Sequence, residues 1–491
     1  MRFRNFLKQY IPFLIALLPV MILRDFAPSD ELRYLSIANE AILHNHWLAF
    51  TYQEIPYADV QPLYIWLLRI WKFLFLHHRM WAIGFISVGS ALGLLWVMNR
   101  WVTKFDLGSM RLKDGSQSRS LAQYMLCVCG IQLAMSFYIR MEMLFSLFIT
   151  LALYNFWKLL YKPLGPNDLD VLPKPLDKPH HHNQCLFALY TFLAIFTNGA
   201  TGFYLIFIIT TLYLFVTRNI SLWGRVWNWR VWGILLGALG LWFYGTYLEG
   251  GENYLYMMLE RLTMGGTIIA PHHHRPWFYL LGSVWLDTLP WGPLCLIVIG
   301  YTLYKKHALT TPLQTFFLTV VGVTIGMFSC FSSKLDVYLL PAVPYLVYLG
   351  VMQFKQWQWP MRWQWPFIWV CRGILVLVFV LGCITPWTDP YTGSYGDLCH
   401  QAKKIRKAQN TEHYYVYRLR RVDGMDAYLH EDPIKTSAQD IADGKLTNTL
   451  LLMEAETMPQ FSKELDKLEV PVASRGEVMK EVGPYLILKF K

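Results

Sequence analysis

Long apolar stretches dominate the chain before residue 388, and each approaches the roughly 20 residues that cross a bilayer as a helix. The pattern predicts spans at 8–23, 81–99, 121–138, 143–161, 186–197 with 200–216 as a hairpin or a pair, 231–248, 289–304, 312–330, 337–353 and 367–386. We therefore expect a polytopic α-helical membrane protein with about 11–13 transmembrane helices.

The apolar segment 62–76 breaks this pattern. It is short, and Arg69 and Lys72 lie in its middle. A helix of this kind is expected to lie in the membrane interface, with both cations reaching the headgroups. When 62–76 does not span, the basic loops 100–120 and 158–185 fall on the same side as the N-terminus, which the positive-inside rule predicts to be cytoplasmic. The active site and the C-terminal region are then expected in the periplasm.

The last hundred residues have a different composition. From 388 to 491 there are 15 Lys or Arg against 16 Asp or Glu. Strand-like runs occur at 413–419, 449–454 and 485–490, and helical patterns at 396–409 and 459–467. We predict a transmembrane domain over 1–387, with outer loops at 24–80 and 249–288, and a small periplasmic α/β domain over 388–491.

Composition excludes several classes of protein. The chain is 55% hydrophobic and 16% charged, whereas soluble domains are about a quarter charged. A soluble enzyme, a disordered chain and a nucleic-acid-binding protein are therefore not expected. The net charge of +11 is attributed to loops that anchor the spans on the cytoplasmic side.

Polar residues gather at one predicted boundary, directly after the first span. Ser29 is a good helix N-cap, so Asp30, Arg33 and Tyr34 are expected on one face of the helix that follows. From these residues alone, two readings stay open. The acids Asp30 and Glu31 suit the positive end of a helix dipole, or they belong to a site.

Six motifs in order resemble the GT-C glycosyltransferases, in particular the bacterial branch of the lipid A aminoarabinose transferases, which is related to the protein O-mannosyltransferases. The matching segments are Asp30–Tyr34, His46-Trp47 with Tyr57–Trp66, Tyr138–Phe145, Thr197–Ala200, His272–Tyr279 with Leu289–Trp291, and Ser333–Pro344. Their order and spacing hold over most of the predicted transmembrane domain. Val60 and Asn198 stand where the family has lysines.

The resemblance implies a membrane transferase for hexosyl or pentosyl groups, of the inverting type. The donor would be a sugar on a polyprenyl (undecaprenyl) phosphate carrier. The acceptor would be lipid A or another cell-envelope glycolipid, at the periplasmic face of the bacterial inner membrane. The catalytic candidates are Asp30 and Glu142. The substrate-binding candidates are Glu31, Arg33, Tyr34, Asp59, Arg140, His274, Arg275, Lys334 and Tyr338, of which Arg140, Arg275 and Lys334 are expected at the carrier phosphate.

Other interpretations remain open. A protein O-glycosyltransferase of the same fold, a transporter or flippase for lipid-linked sugars, and an inactive scaffold all fit part of the pattern. The motifs require no cofactor. His272–His274 could hold a divalent metal with Asp30, Glu31 or Glu142, but histidines at headgroup level are often plain interfacial groups.

Overall fold

A computed structural model describes residues 3–27, 31–75, 80–110, 119–164, 172–262, 274–305, 309, 311–356, 364–388, 394–419, 422, 424–471 and 475–490. Helices dominate the part before residue 388. They are α1 (Phe3–Leu23), α2 (Glu31–Leu43), α3 (Pro62–Phe75), α4 (Met80–Phe105), α5 (Arg119–Cys127), α6 (Gly130–Met135), α7 (Glu142–Leu160), α8 (His181–Asn198), α9 (Ala200–Val216), α10 (Trp223–Val226), α11 (Trp229–Glu260), α12 (Tyr279–Asp287), α13 (Trp291–Tyr304), α14 (Pro312–Cys330), α15 (Val343–Gln356) and α16 (Gln364–Thr388). A short hairpin of β1 (Thr51–Tyr52) and β2 (Ile55–Pro56) follows α2.

The predicted polytopic α-helical organisation is confirmed. Within the described residues, five helices are long and apolar enough to cross a membrane, namely those at 82–105, 142–160, 229–260, 312–330 and 364–388. Three shorter apolar helices lie at 10–23, 200–216 and 291–304. The predicted pair at 186–197 and 200–216 is two helices separated at Gly199, which has a φ of +67°.

One predicted span, 121–138, differs from the structure because its helix is broken into α5 and α6. The predicted span 289–304 corresponds to α13, and a second break separates α13 from α12 before it. The two breaks meet, since the amide of Gly130 donates a 2.7 Å hydrogen bond to the carbonyl of Leu289. A Cβ at Gly130 would lie 2.7 Å from the carbonyl oxygen of Asp287. A broken helix leaves backbone amides and carbonyls without helical partners. The hydrogen bond between the two breaks pairs one such amide with one such carbonyl, as a surrounding without water requires.

Helix α3, the segment predicted to lie in the interface, packs with the first outer loop. Tyr64, Ile65 and Leu68 form its buried face. The guanidinium of Arg69 donates to the carbonyl of His46 and covers the ring of Trp47 at 3.8 Å. These contacts attach the cation to the outer loop and support the interfacial placement.

The C-terminal part contains the predicted small α/β fold. Its elements are α17 (Gly396–Gln409), β3 (Tyr414–Tyr417), α18 (Asp426–Leu429), β4 (Ile434–Lys435), α19 (Ala438–Ala442), β5 (Thr449–Glu454), α20 (Met458–Lys467), β6 (Glu477–Val482) and β7 (Tyr485–Phe490). The strand order is β4-β3-β5-β7-β6, with β3 parallel to both neighbours and β7 antiparallel to both of its own. Strands β4 and β6 were not predicted. The domain boundary at 387/388 stays a prediction.

The sheet domain packs against helix α2. Leu32 and Leu35 of α2 share one apolar core with Leu398 and Val416 of the sheet domain. At the end of α1, the carboxylate of Asp25 accepts hydrogen bonds from the amide of Gly396 (2.8 Å) and from the hydroxyls of Ser394 and Tyr428. The sheet domain therefore contacts the start of the first outer loop both at Asp25 and at helix α2.

Candidate active site

Glu31, the first residue of α2, joins three parts of the outer face. Its carboxylate is fully buried and receives both terminal nitrogens of Arg24, at 3.0 and 2.6 Å. The same carboxylate accepts the amides of Ala27 (2.6 Å) and Ile139 (2.8 Å). With all these donors, Glu31 has a structural role in linking α1, α2 and the corner before α7. Its substrate-binding role stays a prediction.

Arg140 and Glu142 form an ion pair at that corner. The Oε1 atom of Glu142 accepts Nε (3.0 Å) and Nη2 (2.5 Å) of Arg140. The Glu142 side chain is buried, and its Oε2 atom has no hydrogen-bond partner among the described residues. Because an unsatisfied buried carboxylate oxygen is costly, this atom is suited to meet a group that arrives with a substrate.

Three tyrosines complete a group that we call the inner cluster. Its members are Tyr34, Tyr64, Arg140, Glu142 and Tyr338. The ring of Tyr64 lies 5.3 Å from that of Tyr34, and its hydroxyl is buried without a partner in the described part of the chain. Burial raises the pKa of the Tyr64 hydroxyl, and the nearby Tyr34 and Glu142 raise it further. Tyr338 lies near Ser333 and close to the charges of Glu142 and Arg140.

Tyr64 lies in one of the matching segments, Tyr57–Trp66, but it was not predicted as a site residue. It lies inside an apolar run, where a tyrosine resembles any interfacial aromatic residue. The absence of a described partner for its hydroxyl becomes visible only when the surrounding elements are assembled.

Lys334 precedes Tyr338 of this cluster by four residues in the sequence. It is almost fully buried. Its ammonium donates to the carbonyl of Arg275 at 3.1 Å and to that of Phe331. No carboxylate of the described residues pairs with it. Lys334 also lines a groove of about 760 Å³ between α12 and α14, together with Trp277, Leu281, Ile325 and Phe331. A buried cation thus meets an apolar groove.

The loop before α12 contacts the same segment. His274 and Ser333 form an antiparallel backbone bridge, and the His274 side chain is exposed. The guanidinium of Arg275 covers the ring of Tyr279 at 4.1 Å and lies 3.9 Å from Asp336. Arg275 and Lys334 therefore lie close together, and the Arg275 guanidinium is partly neutralised by Asp336. Their role at the carrier phosphate stays a prediction.

Arg33 and Asp59 lie in a more exposed group, which we call the rim and which comprises Arg33, Tyr57, Asp59 and Arg261. Asp59 pairs with Arg261 at 3.2 Å. Burial raises the pKa of the Tyr57 hydroxyl, whereas the charge of Arg33 lowers it. Val60 is buried and carries no charge. The neighbouring Asp59 pairs with the cation of Arg261, at the end of α11.

Some predicted residues lie outside the described part of the chain. They are Asp30, the principal catalytic candidate, and His272 and His273 of the proposed metal group. Within the described residues, no group of three or more His, Cys, Asp or Glu side chains is arranged to hold a metal ion. The catalytic role of Asp30 and the alternative of a divalent metal both stay predictions.

Comparison with curated proteins gives a relative of named activity. The chain is 24% identical over 342 residues to the undecaprenyl phosphate-alpha-4-amino-4-deoxy-L-arabinose arabinosyl transferase of Shewanella sediminis. The match covers 65% of this chain and 54% of that protein, so the chain spans about half the length of this relative. No protein-family model matches.

Solved structures agree over almost the whole chain. The crystal structure of ArnT from Cupriavidus metallidurans bound to undecaprenyl phosphate superposes with a TM-score of 0.71 at 14% identity, covering 99% of this chain and 97% of that one. The archaeal oligosaccharyltransferase AglB from Archaeoglobus fulgidus, in complex with an inhibitory peptide and a dolichol-phosphate, superposes with a TM-score of 0.50 at 12% identity, covering 100% and 75%. The resemblance found in the motifs is confirmed at the level of architecture. The chain has the fold of the GT-C glycosyltransferases.

Proposed function

We propose that the protein is a membrane glycosyltransferase that moves a sugar from a polyprenyl phosphate carrier to an acceptor of the cell envelope. The observation that carries the proposal is Lys334, a buried cation without a described counter-ion at an apolar groove. A phosphate on a long hydrocarbon chain supplies both the missing negative charge and the apolar surface. The similar transferase of Shewanella sediminis is named for undecaprenyl phosphate, and the similar ArnT structure contains undecaprenyl phosphate.

The proposed reaction is a transfer at the anomeric carbon. An acceptor oxygen attacks the anomeric carbon of the donor sugar, a new carbon–oxygen bond forms, and the bond to the carrier phosphate breaks. The polyprenyl phosphate leaves with the electron pair, and Lys334 and Arg140 stabilise its charge. Cations placed where negative charge develops lower the barrier, because they need no reorganisation during the reaction.

Carboxylates are proposed to act on the acceptor and on the donor sugar. Asp30 is the proposed catalytic carboxylate, which takes the proton of a hydroxyl acceptor or orients an acceptor that is already ionised. The Oε2 atom of Glu142, which has no hydrogen-bond partner among the residues that the structure describes, is proposed to face the positive charge that develops on the sugar. The rim, with Arg33 and the Asp59–Arg261 pair, is proposed to contact the acceptor, for which we favour lipid A or a related glycolipid. The site then faces the periplasm of a bacterial inner membrane.

Binding of the carrier tests the proposal without knowledge of the sugar. The purified full-length protein is titrated with undecaprenyl phosphate, and the bound lipid is counted by native mass spectrometry. Lys334→Ala should weaken binding by about 10–150-fold, the equivalent of one hydrogen bond to a charged group. Lys480→Ala removes a cation from the surface of the sheet domain and is the matched control.

The comparison between the two variants is decisive. Equal binding of undecaprenyl phosphate by the wild type, Lys334→Ala and Lys480→Ala would contradict the carrier site. A Lys334→Met variant repeats the measurement with a side chain of similar length, which separates loss of charge from loss of packing.

A further inference from the structure

A second polar cavity lies at the end of the helix bundle opposite the inner cluster. Helix α7 begins at Glu142, and Lys158 comes 158 − 142 = 16 residues later, which places it about 24 Å away along the helix axis. Near Lys158 a cavity of about 250 Å³ is lined by Trp96, Asn99, Arg100, Thr103, Lys104 and Arg119. We call it the basic pocket. The proposed sugar transfer uses none of these residues.

Three cations line the basic pocket, a fourth lies beside it, and together they come from three helices. Arg100 and Lys104 lie one turn apart on α4, Arg119 begins α5, and Lys158 of α7 feels the charges of Arg100 and Lys104. Four neighbouring positive charges repel each other, and a bound anion would offset this repulsion by attracting all of them.

Their contacts are with neutral groups. Nη1 of Arg119 donates to the hydroxyl of Thr103 at 3.0 Å. The Arg100 guanidinium lies 5.1 Å from the ring of Trp96, and the Lys158 ammonium 4.9 Å from that of Tyr154. Across the described ranges, no salt bridge joins any of the four cations to a carboxylate. The pocket therefore presents a positive charge that the described residues do not balance.

The position of the pocket indicates where the anion comes from. It lies in the last two turns of α4, which belong to one of the long apolar helices. The ends of such helices reach the depth of the lipid headgroups. Trp96 is 38% exposed there, and an exposed indole at the end of a span is typical of the membrane interface.

We propose that the basic pocket binds the phosphate of an anionic phospholipid. Arg100 and Lys104 contact the phosphate, and Arg119 is held in place by Thr103 to complete the charge. Basic pockets between membrane helices on the cytoplasmic side are suited to anionic headgroups. That the lipid belongs to the cytoplasmic leaflet rests on the orientation proposed above; the pocket itself does not depend on it.

Lipid titration tests the proposal on the full-length protein. The detergent-purified and delipidated protein is titrated with phosphatidylglycerol, with phosphatidylethanolamine, or with inorganic phosphate, and the bound molecules are counted by native mass spectrometry. We expect phosphatidylglycerol to bind most tightly. The double substitution Arg100→Gln and Lys104→Gln should weaken it by about 25-fold, or about fivefold for each lost cation.

Two controls separate the pocket from general charge. Arg218→Gln with Lys305→Gln removes two cations that follow α9 and α13 at the same boundary, and it should leave phosphatidylglycerol binding unchanged. Arg100→Lys with Lys104→Arg keeps the charge and should keep most of the binding. If the double Gln variant does not fold, as judged by thermal unfolding, the single exposed substitution Arg100→Gln replaces it, with an expected loss of about fivefold.

Several results would overturn the proposal. One is an equal loss in the pocket variant and in the Arg218/Lys305 control. Another is equal binding of the zwitterionic and the anionic lipid. Inorganic phosphate that binds as tightly as the lipid would show a site for free anions. Because the readout is bound lipid, failure of the sugar-transfer proposal would leave this result unaffected.

Discussion

Tyr64 and Glu142 illustrate how single residues indicate function here. Each has a buried oxygen without a partner among the described residues, and an unsatisfied buried polar group costs about 1–3 kcal/mol. A side chain that served stability alone would be better apolar. We therefore interpret both oxygens as groups that find their partners in the substrate complex.

The Tyr64→Phe variant tests this interpretation. Because the hydroxyl has no described partner, its removal should leave the melting temperature unchanged or slightly raised. Sugar transfer should become slower by about 10–150-fold, the equivalent of one hydrogen bond to a charged group. Tyr415→Phe, in the sheet domain, is the control. A Tyr64→Phe variant that loses stability but keeps its kinetics would show that the hydroxyl is structural.

Glu31 should behave in the opposite way. Removing one partner of a buried ion pair costs about 3–5 kcal/mol, because the other charge remains unpaired. Glu31→Gln should therefore lower the melting temperature strongly, whereas Glu252→Gln, at an exposed position of α11, should not. The double variant Arg24→Gln with Glu31→Gln should lose less than the sum of the single losses. Additive losses in thermal unfolding would contradict the pairing.

Residue types were predictable from sequence, but their partners were only partly so. The Arg140–Glu142 pair follows from spacing, since the two residues are neighbours along the chain. The contacts of Lys334 with the carbonyl of Arg275 and of Glu31 with the amide of Ile139 join distant segments, and no local pattern contains them.

At the scale of elements, apolar patterning predicted buried segments well. Strands β5 and β7 and helix α17 have the bounds that their sequences indicated, because each buries a clear apolar face. Strand β6 was missed because it is an edge strand with mostly exposed residues. The break between α5 and α6 depends on the hydrogen bond from Gly130 to Leu289, which connects elements far apart in sequence.

The contact between α2 and the sheet domain contains a buried carboxylate, Asp426. Burial, with a contribution from Asp432, raises its pKa from 3.8 to about 6. The folded protein therefore holds this proton more tightly than the unfolded chain, so the contribution to stability is complete below about pH 4. It is lost as the pH rises through about 6, by about 3 kcal/mol in total.

Asp426→Asn should remove this dependence. The amide stays neutral, so the variant should melt at a higher temperature than the wild type at pH 7.5 (roughly one and a half units above the raised pKa). The gain should shrink towards pH 4. Asp440→Asn is the control, because Lys445 and Ser437 hold the pKa of Asp440 below its usual range, and it should give no gain at pH 7.5. An equal effect of Asp426→Asn at both pH values would contradict the assignment.

For the whole molecule, the arrangement of charges predicts the orientation in the membrane. The interfacial position of α3 is supported by the contacts of Arg69 with the first outer loop. A reporter fused after Lys491 should therefore be active in the periplasm, and one inserted near Asn228, at the start of α11, in the cytoplasm. The reverse pattern would show that α3 spans the membrane and would contradict the candidate site, because its residues lie both before and after α3 in the chain.

The overall architecture was predictable because composition and the order of the motifs are properties of the full chain. A break in a single helix, such as that between α5 and α6, changes neither of them. The acceptor is less accessible to sequence, because the rim that is proposed to contact it combines Arg33 and Asp59 with Arg261 from the end of α11. No motif contained Arg261.

The most direct test of the central claim is mass spectrometry of envelope lipids from cells that carry the wild-type gene, the Asp30→Asn variant, or the Glu252→Gln control. The account predicts that a sugar-modified glycolipid is present with the wild type and the control. With Asp30→Asn it should fall by about a hundredfold or more, while the polyprenyl-phosphate sugar accumulates. Identical glycolipids and unchanged donor in all three strains would contradict the account, in which sugar transfer depends on the carboxylate of Asp30.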